Sequence, residues 1–492
     1  MSHVLESLRF ENTYARLPEA FSARLAPTQF TSAPYLISFN GDAAALIDLD
    51  PKEAERPEFV EYFSGARKLP GIEPLAMLYA GHQFGHYVPQ LGDGRALLLG
   101  EVRNERGDKW DLHLKGSGQT PFSRDGDGRA VLRSCIREYL GSEAMHGLGI
   151  PTTRALCIVG SEEEVLREEG VETAAMLVRL APSHVRFGSF EVFYYRRQTD
   201  FLKQLAEYVI DQHFPHLQGV ADRYRRFLRE VVERTARLMA KWQATGFAHG
   251  VLNTDNMSIL GLTLDYGPFG FLDDYNAALI CNHSDRGGRY AFHRQPNIGS
   301  WNLHALAEAL LPLMTEEEAK EALAAYEPAL VAHYRELMQS KLGLAEWRSE
   351  DADLVSGLLE IMQANHVDYT NFFRGLGGLT VASDGRKGLL RDLFLDRAAF
   401  DDWEGRYRQR LLSEGSKDAE RSTRMNKTNP RFVLRNYLAQ TAITLATEKR
   451  DFSEIDRLLA LLRRPYDDHP GMERYTEAPP DWGKHLVVSC SS

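Results

Sequence analysis

An α+β fold is predicted for this chain by two stretches of unlike periodicity. From about residue 86 to 180 short apolar runs surround one amphipathic helix, and from about 196 onward the chain is largely helical. A third observation is compositional: 43% hydrophobic and 26% charged residues over 492 positions are the proportions of a globular chain with a sizeable core.

Residues 1–80 are rich in Pro and aromatics (LPEAF, APTQF, SAPYLISFN) without long periodicity, and read as an irregular N-terminal arm packed on the core. Residues 81–190 follow as a strand-rich unit. HYVPQL, then ALLLGEV after the turn GDGR, then KWDLHLK read as three successive strands. RAVLRSCIREYLGSEAMHGLG sets Leu132, Cys135, Ile136, Tyr139 and Leu140 at helical spacing, which predicts a helix with one apolar stripe, closed by Gly147 and Gly149. AAMLVRLAP adds a strand ending at a Pro. Residues 191–492 form the helical unit. DRYRRFLREVVERTARLMAKWQATG puts Phe227, Val231, Leu238 and Trp242 on one face and stops at Gly246. A loop-rich stretch spans 247–300, and helical patterns return around 302–342, 352–365, 429–447 and 453–463.

The bulk numbers exclude several classes. A net charge of -11 argues against coating nucleic acid or an anionic membrane. Four cysteines, Cys135, Cys157, Cys281 and Cys490, are too sparse for a disulfide framework and form no C-x-x-C pair for structural zinc. The opening MSHVLESLRFENTYARLPEAF is no secretory signal, and no apolar run is long enough to span a bilayer, so a cytoplasmic, soluble protein is expected. An acidic protein that binds a polyanion must gather its cations locally.

Several such cations sit in suggestive positions. Gly92-Asp93-Gly94-Arg95 reads either as a tight hairpin turn or as a glycine loop approaching phosphates, with Arg95 supplying charge. Lys115 ends the third strand, with His113 on the same face by the two-residue period. Glu138, at the shoulder of the helix stripe, is the preferred partner for Lys115, and Glu143 the competing one. Asp125-Gly126-Asp127-Gly128-Arg129 has the look of a calcium loop, but Ile136 stands where an EF-hand needs its last Glu. Asp127 and Gly128 read instead as a nucleotide-contacting turn, or a plain cap, at the start of the helix. Arg179 and Arg186, in VRLAPSHVRFG, complete four cations able to grip a triphosphate.

The clearest pattern comes next. His249-Gly-Val-Leu-Asn253-Thr-Asp255-Asn256, then Leu264-Asp265-Tyr266-Gly267, follow a long amphipathic helix. A protein kinase carries H-R-D-x-x-x-x-N and then D-F-G there, and holds metal through the Asn and the second Asp. Asn256 and Asp265 fall at those two positions and offer the oxygen donors magnesium prefers. Val251 occupies the position of the catalytic Asp, and Asp255 is the nearby carboxylate to replace it. The ordered set predicts a protein-kinase-like, two-lobed fold: a small strand-rich N-lobe, a larger helical C-lobe, an N-terminal arm and a C-terminal helical extension.

These segments resemble the selenoprotein O family of pseudokinase-fold protein adenylyltransferases. The likeness runs through GHQFGHYVPQLGDGRALLLGE, HLKGSGQTPFSRDGDGRAVLRSCIREYLGSEAMHGLGIPTTRAL, APSHVRFGSFE, HGVLNTDNMSILGLTLDYGPFGF, RYAFHRQPNIGSWNL, NPRFVLRNYLAQ and the terminal VVSCSS, nearly the whole chain. It implies a kinase-like fold that binds ATP flipped, with the γ-phosphate buried and the α-phosphate facing the acceptor. It further implies nucleotide contacts from Gly92, Gly94, Arg95, Lys115, Asp127, Gly128, Arg179, Arg186 and Asp265, Mg²⁺ (with Mn²⁺ as an alternative) on Asn256 and Asp265, and Asp255 as proton acceptor. Cys490 stands in the region where some members carry selenocysteine.

The expected activity is transfer of AMP to Ser, Thr or Tyr hydroxyls of protein partners by a monomer. A kinase moving the γ-phosphate with Asp255 as base, and a non-catalytic nucleotide-binding scaffold, stay open beside it. Val251 weighs against the kinase, and the joint presence of Asn256 and Asp265 against the scaffold. Cys281, sixteen residues after Asp265, and Cys490 form a candidate redox pair that would tie the tail across the acceptor side.

Overall fold

The chain is seen here in a computed structural model that describes residues 2–168, 170–382, 390–484 and 486–488, and these residues build twelve short to medium strands and a helical C-terminal half. The strands are β1 (Ser22–Arg24), β2 (Tyr35–Phe39), β3 (Leu75–Met77), β4 (Gly81–Gln83), β5 (His86–Val88), β6 (Ala96–Arg103), β7 (Lys109–Lys115), β8 (Ala130–Val131), β9 (Arg154–Arg167), β10 (Gly170–Ala181), β11 (Phe247–Ala248) and β12 (Gly270–Phe271). The main sheet runs β1-β3-β6-β7-β10-β9-β2, with β8 added against β10; its named pairings are antiparallel.

Alternation along the sheet fills two cores. Leu97, Leu99, Leu112, Leu114, Met176, Val178 and Leu180 face the N-terminal segment, which covers them with Leu5, Phe30, Phe59 and Phe63. Leu98, Ile158, Ala175 and Leu177 face the opposite way, onto α3 (Leu132–Gly147) and the helical half. The N-terminal segment is therefore not irregular throughout, as its sequence suggested. Besides α1 (Gly41–Ala44) and α2 (Pro57–Phe63), it supplies β1 and β2, which close the two edges of the sheet. Strands of three and five residues are too short to show a period.

Two further expectations need correction. HYVPQL does not precede ALLLGEV in the sheet: β5 stops before Pro89, which has no N–H to donate, and among the described residues it pairs with β4 alone. Nor is Gly92–Arg95 a hairpin turn. Asp93 N donates to Met77 O at 2.9 Å and Asp93 Oδ2 accepts from Met77 N at 3.0 Å, so the loop lies along β3 as a substitute strand.

In the helical half α4 (Phe187–Tyr195), α5 (Thr199–His213) and α6 (Arg223–Thr245) precede a loop-rich stretch. The C-cap of α6 is Gly246, in the left-handed region at φ 78°. Then come α7 (Gln295–Leu310), α8 (Glu316–Leu323), α9 (Tyr326–Lys341), α10 (Asp351–Asn365) and α11 (Tyr369–Leu376), so the pattern at 302–342 is three helices. Helices Arg397–Ser413 and Asp418–Thr428, unread in the sequence, build a third core around Trp403 and Tyr407. Helices Asn436–Lys449 and Ser453–Arg463 return to pack on α3. Their return explains why α3 is buried on nearly every side from Ser134 to Met145, not on one stripe. Ser38 Oγ bonds both Tyr139 OH at 3.0 Å and Asp456 Oδ1 at 2.7 Å, joining β2, α3 and the last of these helices.

Candidate active site

A cleft of about 1030 Å³ opens beside the sheet, between β6, β7, β9 and β10 on one side and the loops 251–256 and 265–268 on the other. Gly92, Gly94, Arg95, Lys115, Asp127, Gly128, Arg179, Arg186, Val251, Asp255, Asn256 and Asp265 all line it. Residues up to 173 positions apart in sequence are thus brought into one cavity.

Lys115 ends β7 and Glu138 faces it from the second turn of α3. Their Nζ–Oε2 distance is 2.5 Å, and both side chains are buried. Glu143, the rival, is buried against Arg154 at 2.7 Å on β9 and is thereby out of reach. The free oxygen of Glu138 accepts from Arg179 at 3.1 Å, and Arg179 in turn reaches Asp265 Oδ1 at 2.7 Å. Arg186 pairs with Asp265 Oδ2, and its guanidinium lies 4.5 Å over the ring of Tyr79. Burial alone would raise the carboxyl of Asp265, but Arg186 and Arg179 outweigh it and hold it well below the ordinary range. Lys115 and Arg179 likewise outweigh burial at Glu138 and hold its carboxyl below the ordinary value.

Behind this chain stands a second one. His113 Nε2 lies 3.2 Å from Asp93 Oδ2, and its Nδ1 lies 3.0 Å from an Arg179 nitrogen. Arg179 can only donate, so His113 accepts at Nδ1 and donates at Nε2. Burial, with His184 and Arg179 close by, keeps its ring neutral by pushing its pKa down to about 3. His184 stacks on it at 4.3 Å and bonds Asp111 at 3.1 Å. Arg95 makes no side-chain hydrogen bond among the described residues, and burial lowers its pKa.

The glycine wall is tight. Gly92 has φ 127°, and a Cβ on Gly94 would meet Phe122 O at 2.7 Å. Gly128 has φ 72°, and a Cβ there would lie 2.1 Å from the Gly118 carbonyl. Asp127 does not cap α3, whose N-cap is Val131; its Oδ1 accepts instead from Arg129 N at 2.8 Å, and Arg167 clamps both oxygens. The helix begins four residues later than the turn because β8 intervenes.

His249 is buried, stacked on Trp242 at 5.3 Å, with Nε2 at 2.9 Å from Leu264 O, which ties the two loops together. Asn256 Nδ2 donates to Val251 O at 2.9 Å, which leaves its carbonyl oxygen to the cleft. Asp265 sits at φ 58°, in the left-handed region. Together these oxygens fit a hard divalent cation that keeps water and substrate oxygens as further ligands. No cluster of three His, Cys, Asp or Glu suited to metal occurs among the described residues. Burial pushes the carboxyl of Asp255 up to about 7, with Gln83 and Arg186 opposing. Asp255 Oδ1 has no hydrogen-bond partner among the described residues.

Sequence reasoning did not single out Gln83, Tyr79, Phe122, Arg167 or Asp93 for this cavity. GHQFGH, with its tight-turn glycine, was the signal that could have led to Gln83. Cys281 Sγ lies 3.5 Å from Ala248 O, and His283 N donates to Val488 O at 3.1 Å; Cys490 lies outside the described residues.

A cleft walled by glycines, lined with Arg95, Lys115, Arg179, Arg186 and further arginines, and backed by a buried Lys–Glu pair belongs to an enzyme that handles a phosphorylated ligand. Residues 4–463 match the family model described as protein adenylyltransferase SelO, and the chain belongs to that family, a family of nucleotidyltransferases. It is 63% identical over 488 residues to the protein nucleotidyltransferase YdiU of Myxococcus xanthus, covering 99% of each chain. The proteins of the same name from Thiobacillus denitrificans (56% over 488 residues, 99% of each) and Thioalkalivibrio sulfidiphilus (57% over 496, 100% of each) are similarly close. No helix among the described residues is long and apolar enough to cross a membrane.

Proposed function

We propose that this enzyme, a monomer with a two-lobed kinase-like fold, transfers AMP from ATP to Ser, Thr and Tyr hydroxyls of other proteins and releases pyrophosphate. The observation that carries the reading is the exchange at the catalytic loop: Val251 stands where a kinase keeps its base, while a buried carboxylate, Asp255, faces the same cleft as Arg95, Lys115, Arg179 and Arg186. Four cations suit a triphosphate whose β- and γ-phosphates leave together, since that charge must be neutralised inside the protein.

In this reading Gly92, Gly94, Asp127 and Gly128 let backbone approach the nucleotide. Lys115, steadied by Glu138, and Arg95 grip the phosphates. Arg179 and Arg186 turn from Asp265 toward the incoming phosphates, which frees the carboxylate. Asn256 and Asp265 would hold Mg²⁺, or Mn²⁺, whose charge would further neutralise the phosphates. Asp255 accepts the proton of the acceptor hydroxyl as its oxygen bonds to the α-phosphorus and the bond to the bridging oxygen breaks. The products are acceptor–O–AMP and pyrophosphate. A Cys281–Cys490 disulfide tying the tail across the acceptor side belongs to the same proposal, and the bond between His283 and Val488 supports it. Both thiols alkylatable in oxidised protein would remove that part.

The test of the reaction is product identity. Pyrophosphate and an AMP adduct on an added acceptor protein are expected; ADP with a phosphorylated acceptor would replace this reading with the kinase.

A further inference from the structure

Among the described residues the hairpin β4–β5 pairs with no strand of the main sheet, and the loop it touches is the one that carries Asp255. Gly81 pairs with Val88, His82 with Tyr87 and Gln83 with His86, which leaves Phe84 and Gly85 as a two-residue turn. Both have positive φ, 52° and 83°, as a type I′ turn requires. Phe84 is a bulky L-residue in the left-handed region, a conformation that lasts only where the surroundings impose it. Here they do. Phe84 N donates to Asn253 Oδ1 at 3.3 Å and to Tyr290 OH at 2.8 Å. His82 N donates to Thr254 Oγ1 at 2.7 Å. Between them Gln83 Nε2 donates to Asp255 Oδ2 at 3.1 Å. Three successive hairpin residues thus hold three successive loop residues.

The other sides of Asp255 are also set. Arg186 donates to its backbone oxygen at 2.7 Å, and the backbone of Gly81 is so near that a Cβ there would lie 2.6 Å from Oδ1. Since Oδ1 has no partner among the described residues, the carboxamide of Gln83 supplies the hydrogen bond that fixes the carboxylate plane. A carboxyl torsion is otherwise broad, so this bond decides where the lone pairs point. An ionised carboxylate only accepts, so the NH₂ end of Gln83 must face it.

We propose that Gln83 is a positioning residue for the transfer: its carboxamide sets the orientation of the Asp255 carboxylate toward the acceptor hydroxyl, and the hairpin backbone keeps Gln83 in register. The proposal rests on Asp255 being the proton acceptor. The experiment is a double-mutant cycle on the full chain, reading kcat alongside the Kd of a non-hydrolysable ATP analogue. Gln83→Ala should lower kcat by about tenfold or more, the effect of losing a hydrogen bond to a charged group, with Kd unchanged. Gln83→Glu keeps the shape but turns an acceptor toward Asp255, and should cost at least as much. In an Asp255→Asn background Gln83→Ala should add almost nothing. Wild-type kcat in either Gln83 variant, an equal loss in both backgrounds, or a parallel loss of analogue affinity would overturn the proposal. Full turnover by Asp255→Asn alone would instead overturn the reading of the base, and this inference with it.

Discussion

Asp265 receives Arg179 on one oxygen and Arg186 on the other, so deleting it strips two buried cations of their shared anion. Asp265→Ala should therefore do two things: abolish transfer, and destabilise the nucleotide-free protein by on the order of 3 kcal/mol. Thermal melts should recover part of that loss when a triphosphate is added to neutralise the arginines. Asp255 gives a pH signature. Its carboxyl is raised to about 7 by burial, and a base must be ionised, so the rate should rise with pH and level off; a bound cation lowers the midpoint, setting the acidic limb at or below about pH 7. Asp255→Asn should lose the limb together with roughly 10²–10⁴-fold in rate. Far from the cleft, Lys341 is buried with its ammonium 4.2 Å from the Phe373 ring and 5.1 Å from that of Tyr369, and no carboxylate pairs with it among the described residues. Burial pushes its pKa down to about 7. The folded value lies below the unfolded one, so the cost is full below about pH 7 and fades as pH rises toward about 10. Lys341→Met should raise the melting temperature at pH 7, and the gap to wild type should close as the pH approaches 10.

At the scale of the element, α3 matters most, because it carries Glu138 on one side and meets helix Ser453–Arg463 on another. The approach is close enough that a Cβ on Gly147 would sit 1.9 Å from Leu462 O. Gly147→Ala should push that helix away and lower stability by about 1–3 kcal/mol, read by denaturant unfolding. If the helix were merely leaning on α3, the variant would unfold like wild type. This element also marks the limit of sequence reading. Its start, its end and its first buried stripe are legible in Leu132, Cys135, Ile136 and Tyr139. Its second buried side is not, because the residues that cover it arrive some 300 positions later. The choice between Glu138 and Glu143 likewise turns on Arg154, whose strand β9 escaped notice because SEEEVLR carries charge into an otherwise apolar run.

Across the whole molecule, the cleft is assembled from segments that each signal something locally: glycines where φ is positive or space is short, a strand-end Lys, an Asp–Asn pair after a long helix. Those residues were legible. The links among them were less so, since Gln83 and Asp255 lie 172 positions apart and His113 finds Arg179 only through strand pairing. The central claim, that the α-phosphate and not the γ-phosphate goes to protein, depends on the whole arrangement at once. It is tested most directly by giving the enzyme ATP labelled at the α-phosphorus or at the γ-phosphorus, with divalent cation and acceptor protein, and counting label on protein after denaturation. The account expects label from α-labelled ATP alone, lost in Asp265→Ala. Label from γ-labelled ATP alone would contradict it.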